Sequence, residues 1–385
     1  MPCLNEPLYI LTYDESNPQI IKTGRNNAID YKNKFSKQHK YDYYYLQFSN
    51  DKSFKVFPLN KILNEDQLQQ IRDRKVFLVL DNSLEYFLTT VDMIYNEIVI
   101  KQSIPAEQIM FLTAVPNILP YVKNIADKLR LPEIKVEYFS IFEDVGKDAI
   151  RQTKNLETLP KKKKYQKKFI NLNRRWRIHR PLMVTLLKDK NLLDQGYISM
   201  AKSDDGIDWN RAYRHLRHIY SNHPKIMEIL DRNSDIVNLP DLYLDLEDLV
   251  RNRAMHENSI NNYYAETYFS VVNETTYHEG IPFFSEKTFK AIAMGHPFII
   301  ATAPHSLKYL KDMGYKTFHP IIDESYDSIT DHGERMIAIV NEIERLCNLN
   351  KNQLKEWLYV ARQITAQNKH TLKHNKLSKP LNFSV

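Results

Sequence analysis

The chain has 385 residues, 43% hydrophobic and 26% charged, with a formal net charge of +7, which suits two to three domains with ordinary cores. Its two cysteines, Cys3 and Cys347, lie far apart and outside any CxxC spacing, which excludes a disulfide framework and a structural zinc site and fits a reduced, cytoplasmic location. The basic balance fits an anionic partner: a nucleotide-sugar, a nucleic acid or an acidic membrane surface.

The opening MPCLNEPLYILTYDE lacks the basic and apolar blocks of a signal peptide. No apolar run approaches the ~20 residues of a membrane span. The patterns LYILTY (8–13) and YDYYYLQF (41–48) predict strands. Residues 17–39 between them are polar, a loop with a short helix, and 60–73 are weakly helical. The run Val76–Leu80 is a buried parallel strand closed by Asp81, Asn82 and Ser83. A helix over Glu85–Ile100, a strand over Ile109–Thr113, a helix over Pro116–Leu129 and a strand over Ile134–Ile141 follow. Strands alternating with helices make βαβ units, so residues 1–150 form a Rossmann-like domain. It carries no GxGxxG loop, and no dinucleotide is assigned to it.

Residues 151–168 contain KKKKYQKK and read as a basic linker. A second α/β domain, 169–350, opens with the strand Lys168–Leu172. Arg174, Arg175, Arg177 and Arg180 then gather between that strand and a helix over Pro181–Lys188. Arginine forks bind phosphate oxygens in bidentate fashion. A short strand is expected at Gly196–Met200 and a helix at Trp209–Tyr220. The acidic stretch Asp241–Asp248 includes Asp245 and Glu247, which do not form an Asp-x-Asp metal site at a strand end, so no catalytic metal is predicted.

The centre of the chain is 265–304, AETYFSVVNETTYHEGIPFFSEKTFKAIAMGHPFIIATAP. A strand over Tyr268–Val272 leads into a loop, Asn273–Gly280. Ser285 caps a helix whose inner face is Phe289, Ile292 and Ala293. Gly295 ends that helix, and Phe298–Ala301 is the next strand. Asn273 and Glu274 stand at a strand's carboxyl end, where open α/β sheets bind ligands. Ser285, Glu286 and Lys287 fill a helical first turn, which favours an anion. A helix over Ser306–Met313, an edge strand over Lys316–His319, a helix over Asp331–Leu346 and a last helix over 351–373 complete the chain, with the tail reaching 385.

The pattern of strand, Asn-Glu, loop, Ser-Glu-Lys, helix, Gly, Pro and strand resembles the donor-binding motif of the α-1,3-fucosyltransferase-like and exostosin-like glycosyltransferases. The stretches FSEKTFKAIAMGHPFII and NLNRRWRIHR also look like a group of phage and large-virus glycosyltransferases. The resemblance covers about 165–345. It implies a GT-B-like α/β fold, two Rossmann-like domains facing a cleft, with the C-terminal helix crossing back to the first. It implies an inverting, metal-independent transfer of a hexosyl or pentosyl group from a nucleotide-sugar, itself a substrate, so no further cofactor is expected. The acceptor would be a glycan or a modified DNA base. Lys287 with Arg174 or Arg175 would hold the diphosphate, Glu286 the donor hydroxyls, and Asn273, Glu274 and Ser285 the donor pocket. Asp81 is the first candidate for the base, with Glu85 and Glu143 as competitors. A DNA glycosyltransferase and a non-catalytic nucleic-acid-binding or interaction protein are the rival readings.

Overall fold

The computed structural model describes residues 9–11, 43–48, 59–61, 63–83, 89–155, 165–173, 176–200, 208–240, 242, 261–375 and 378–380. The chain divides into two units, one of Met1–Ile141 with Lys376–Val385 and one of Phe142–Asn375.

In the first unit the strands β1 (Tyr9–Leu11), β2 (Tyr43–Phe48), β3 (Phe77–Asn82), β4 (Ile109–Thr113) and β5 (Lys135–Phe139) lie side by side in sequence order, all parallel. All of β4 is buried, and in β3 only Phe77 is partly open, the burial of strands covered on both faces. Helix α1 (Glu65–Arg72) opens with a capping box between Asn64 and Gln67. Helix α2 (Thr89–Met93) runs into a π-helical stretch, Ile94–Ile100. The start of the expected helix at Glu85 lies outside the described residues. Helix α3 (Leu119–Leu129) begins three residues later than Pro116.

The second unit holds strands β6 (Phe169–Leu172), β7 (Gly196–Ser199), β8 (Phe269–Asn273) and β9 (Phe298–Ala301), in the order β7-β6-β8-β9 and all parallel. Its helices are α4 (Ile141–Asn155), α5 (His179–Asp189), α6 (Trp209–Ile219), α7 (Pro224–Arg232), α8 (Asn261–Ala265), α9 (Glu286–Ala293), α10 (Ser306–Asp312), α11 (His332–Cys347) and α12 (Lys351–His374). Phe169, Phe269, Val271 and Ile299 are no more than 2% exposed and form the sheet's interior. The first strand in sequence, β6, sits between β7 and β8. The strand order therefore reverses beside it, and such a reversal opens a crevice at the carboxyl ends of the two strands. Among the described strands of the first sheet there is no such reversal.

The two α/β units, each built on a mainly parallel sheet, are of the Rossmann-like class expected from the sequence. Several local expectations are corrected. The strand over Ile134–Ile141 ends at Phe139 because Ile141 already opens α4. Residues 151–155 of the expected linker continue that helix, and 156–164 lie outside the described residues, as do Asp245 and Glu247. Lys316–His319 forms no strand. The Asn368 side chain takes both backbone groups of Lys316, accepting from its N–H at 2.7 Å and donating to its carbonyl at 2.8 Å. Helix α12 belongs to the second unit, where Trp357 donates to the Ile321 carbonyl at 2.9 Å. Strand β10 (Ser378–Pro380) belongs to the first unit and pairs antiparallel with β5. Among the described residues no helix is long and apolar enough to cross a membrane.

Candidate functional site

The carboxyl ends of β6 and β8 are joined by three buried asparagines. Asn171 donates to the Val271 carbonyl at 2.8 Å, and Asn173 donates to Asn171 Oδ1 at 2.6 Å. Asn273 donates to Asn173 Oδ1 at 2.8 Å. All three are no more than 2% exposed. Asn273 Oδ1 is buried with no hydrogen-bond partner. A buried acceptor without a donor costs free energy comparable to a lost hydrogen bond. Asn273 lines a recess of about 20 Å³ together with Ile170, Leu172, Tyr264, Lys287 and Lys290, room for about one water.

The loop after β6 is knit to the loop after β8. Arg180, 3% exposed, donates from Nη2 to the carbonyls of Asn273 at 3.3 Å and Glu274 at 3.5 Å. His179 Nε2 stands 2.9 Å from the same Glu274 carbonyl. Burial, then the neighbouring Arg180 guanidinium, holds the His179 pKa well below the ordinary histidine value. The ring is thus neutral, with its Nε2–H donating to Glu274. The ring stacks on Tyr277 with centroids 5.1 Å apart. Arg335, 1% exposed, reaches the Tyr277 carbonyl at 2.7 Å and lies over its ring at 4.3 Å.

Glu274 is fully buried. Its Oε1 accepts from the Ser285 N–H at 3.0 Å and Thr288 Oγ1 at 2.6 Å, and its Oε2 accepts from Ser285 Oγ at 2.5 Å. The anion at the start of α9 is therefore this carboxylate, which fastens β8 to the helix that packs beside it. Ser285 caps α9 by accepting from the Lys287 N–H. Lys287 Nζ donates to Ser285 Oγ at 2.8 Å and lies 3.4 Å from Glu286 and 3.8 Å from Glu274. Burial pushes the Glu286 carboxyl up, but Lys287 beside it and hydrogen bonds from Ser285 and its own backbone leave it lowered overall. Its side chain is 23% exposed against 11% for Lys287. Two carboxylates, Glu274 and Glu286, thus lie within 4 Å of the Lys287 ammonium, and Lys290 of the same helix lines the recess beside it.

Arg174 and Arg175 lie outside the described residues. Arg177, in the same loop, is exposed. In the first unit Asp81 is fully buried near the end of β3, and its Oδ1 accepts from the Ser83 N–H at 2.9 Å and Ser83 Oγ at 2.6 Å. To serve as a base it would exchange these bonds for an acceptor hydroxyl. Glu85 lies outside the described residues. Glu143 is fully buried and accepts from the Tyr315 hydroxyl at 2.8 Å and Asn375 at 3.2 Å, a tie between α4 and the end of α12.

Asn171, Asn173 and His179 were not singled out for the site from the sequence, and Arg180 was read only as one of the four clustered arginines. The only local signal is the Asn-x-Asn at the end of β6, whose partner Asn273 is about 100 residues away. Among the described residues no three His, Cys, Asp or Glu side chains gather as a metal site requires.

No protein-family model matches the chain, and no curated protein is significantly similar to it in sequence. Solved structures that it resembles include a UDP-forming α,α-trehalose-phosphate synthase from Burkholderia xenovorans, with 12% identity, TM-score 0.48, and coverage of 95% of this chain and 77% of that one. A glycosyltransferase from Rickettsia africae gives 11% identity, TM-score 0.41, and coverage of 94% and 81%. An α,α-trehalose 6-phosphate synthase from Burkholderia multivorans gives 10%, 0.47, and 92% and 71%. These likenesses are weak, and no activity is carried over from them.

Proposed function

We propose that the chain is a glycosyltransferase that binds its nucleotide-sugar donor at the reversal between β6 and β8. The observation that supports this reading is the buried asparagine network at that point, whose Asn273 Oδ1 lacks a donor beside Lys287. The motif running from Asn273 to Lys287 is the one that resembles nucleotide-sugar enzymes.

We assign a division of labour within the donor site from the motif and from the chemistry of its residues. The arginines of the loop after β6, Arg174, Arg175 and Arg177, take the diphosphate, since a guanidinium fork matches phosphate oxygens. Glu286 accepts hydrogen bonds from sugar or ribose hydroxyls. Lys287 orients Glu286 and Ser285 and offers a cation toward the leaving group. Glu274, Asn273 and Ser285 hold the pocket in shape. The acceptor oxygen attacks the anomeric carbon, the bond from that carbon to the phosphate oxygen breaks, the diphosphate leaves, and the acceptor proton passes to a base. Such a displacement inverts the anomeric centre. Catalysis would come from charge stabilisation and positioning.

A thermal-shift screen against nucleoside diphosphates and their sugars tests this reading. A ligand at about 100 times its Kd stabilises by ~2.7 kcal/mol. The Lys287→Ala variant should lose transfer while remaining folded. Failure of every nucleotide to raise the melting temperature, or near-normal turnover by Lys287→Ala, would contradict it.

A further inference from the structure

Helix α6 presents a second feature that the donor site does not use. Arg211, Arg214, His215 and His218 are all exposed. They fall at i, i+3, i+4 and i+7, which places them in one stripe along the helix. The opposite face, Trp209, Ala212 and Leu216, is buried. Arg217, off the stripe, is paired with Asp231. Among the described residues Arg214 has no acidic side-chain partner, and Arg211 meets the helix-capping Asp208 through its backbone N–H, at 2.9 Å, and not through its guanidinium. The stripe continues toward a further basic residue: Trp176 packs edge-on against Trp209 at 5.0 Å, which sets the loop carrying exposed Arg177 against the first turn of α6.

We infer that this stripe is a docking surface for the phosphate backbone of duplex nucleic acid. The charge complementarity is direct, since two exposed guanidinium groups without an ion-pair partner among the described residues lie on one face of the helix. Two other polyanionic surfaces fit less well. A membrane-surface helix inserts an apolar face with large side chains, whereas the one large apolar side chain exposed on α6 is Ile219. Single-strand binding uses exposed aromatic platforms, whereas Trp209 is buried and Tyr213 is half-covered beside Arg217. A backbone-only contact remains, which reads duplex form and not sequence. The net charge of +7 favours the same partner. Arg177 is shared with the proposed diphosphate site, whereas Arg211 and Arg214, the residues the test removes, take no part in the asparagine network, the start of α9 or the proposed diphosphate contacts.

The test is fluorescence anisotropy of the full chain with a labelled DNA duplex over a range of salt, native against the Arg211→Gln/Arg214→Gln double variant. Both positions are exposed, so the variant should keep the native melting temperature. Each phosphate contact contributes about −0.9 to the slope of log affinity on log salt, so the double variant should lose about 1.8 of slope and bind at least tenfold more weakly at low salt. Vesicles with anionic lipid should bind neither protein. An unchanged slope and affinity in the variant, no duplex binding by the native chain at low salt, or vesicle binding that the same variant removes would each overturn the assignment. None of these results bears on nucleotide-sugar binding, which the thermal-shift screen reads separately.

Discussion

Removing the Glu274 carboxylate should loosen the start of α9 without removing a ligand contact. Glu274 is fully buried and accepts from three donors on Ser285 and Thr288, at 2.5 to 3.0 Å. Hydrogen bonds to a charged acceptor contribute about 1.5–3 kcal/mol each, less when they share one acceptor. Leaving the helix start without its anion adds a few tenths to about 1 kcal/mol. Glu274→Ala should therefore cost about 4 kcal/mol. For a unit of this size that lowers its melting temperature by roughly 8–16 °C. Glu274→Gln keeps an oxygen for the Ser285 N–H and Thr288 Oγ1 and should cost about 1–2 kcal/mol. The assay is denaturant unfolding, with a shifted midpoint and an unchanged slope. Calorimetry on Glu274→Gln should give nucleotide affinity within about threefold of native. A Glu274→Ala cost below about 1 kcal/mol would refute the fastening role. A collapse of affinity in a stable Glu274→Gln would show that the carboxylate touches the ligand instead.

Two further outcomes follow from charges held away from water. Asp327 accepts from the Leu307 N–H at 3.1 Å, and burial raises its pKa to about 7. A carboxyl whose folded pKa lies above its unfolded value makes the protein lose stability as pH rises from about 4 through 7. Asp327→Asn should therefore gain on the native chain by about 1 kcal/mol between pH 5 and 8, a figure discounted for partial exposure. Equal denaturation midpoints for the pair at both pH values would contradict this. Arg335 has no acidic side-chain partner among the described residues, and it donates to the carbonyls of Ile329, Thr330 and Tyr277. Burial, then His332, then Arg335 hold the His278 pKa down at about 4. Arg335→Met should raise the His278 midpoint in an NMR titration, and a midpoint that stays or falls would show that the guanidinium charge is not felt there.

The elements with strong local signals were legible in the sequence. Phe298–Ala301 is a short apolar run after Pro297 and is β9. Gly295, at φ 63°, follows the end of α9, a backbone conformation that glycine adopts without strain. Ser285 caps the helix as its residue type suggests. What was not legible depends on partners distant in sequence. Lys316–His319 alternates like a strand, but Asn368, 52 residues on, satisfies the Lys316 backbone. Glu274 reads as an open carboxylate beside Asn273, and only the return of the chain at Ser285 and Thr288 encloses it. The order β7-β6-β8-β9 is invisible along the chain, so the meeting of Asn173 with Asn273 had no local mark beyond the Asn-x-Asn at the end of β6. The arginine cluster was visible, but nothing local distinguishes Arg180, which the fold turns inward onto two carbonyls.

The location of the donor site is tested most directly by amide hydrogen exchange of the full chain with and without a saturating nucleotide-sugar. The proposed site requires slowed exchange over residues 171–180 and 273–290, the two loops that meet at the reversal beside β6. Protection confined to the first unit, around Asp81 and β3, or protection nowhere with ligand shown to be bound, would contradict it.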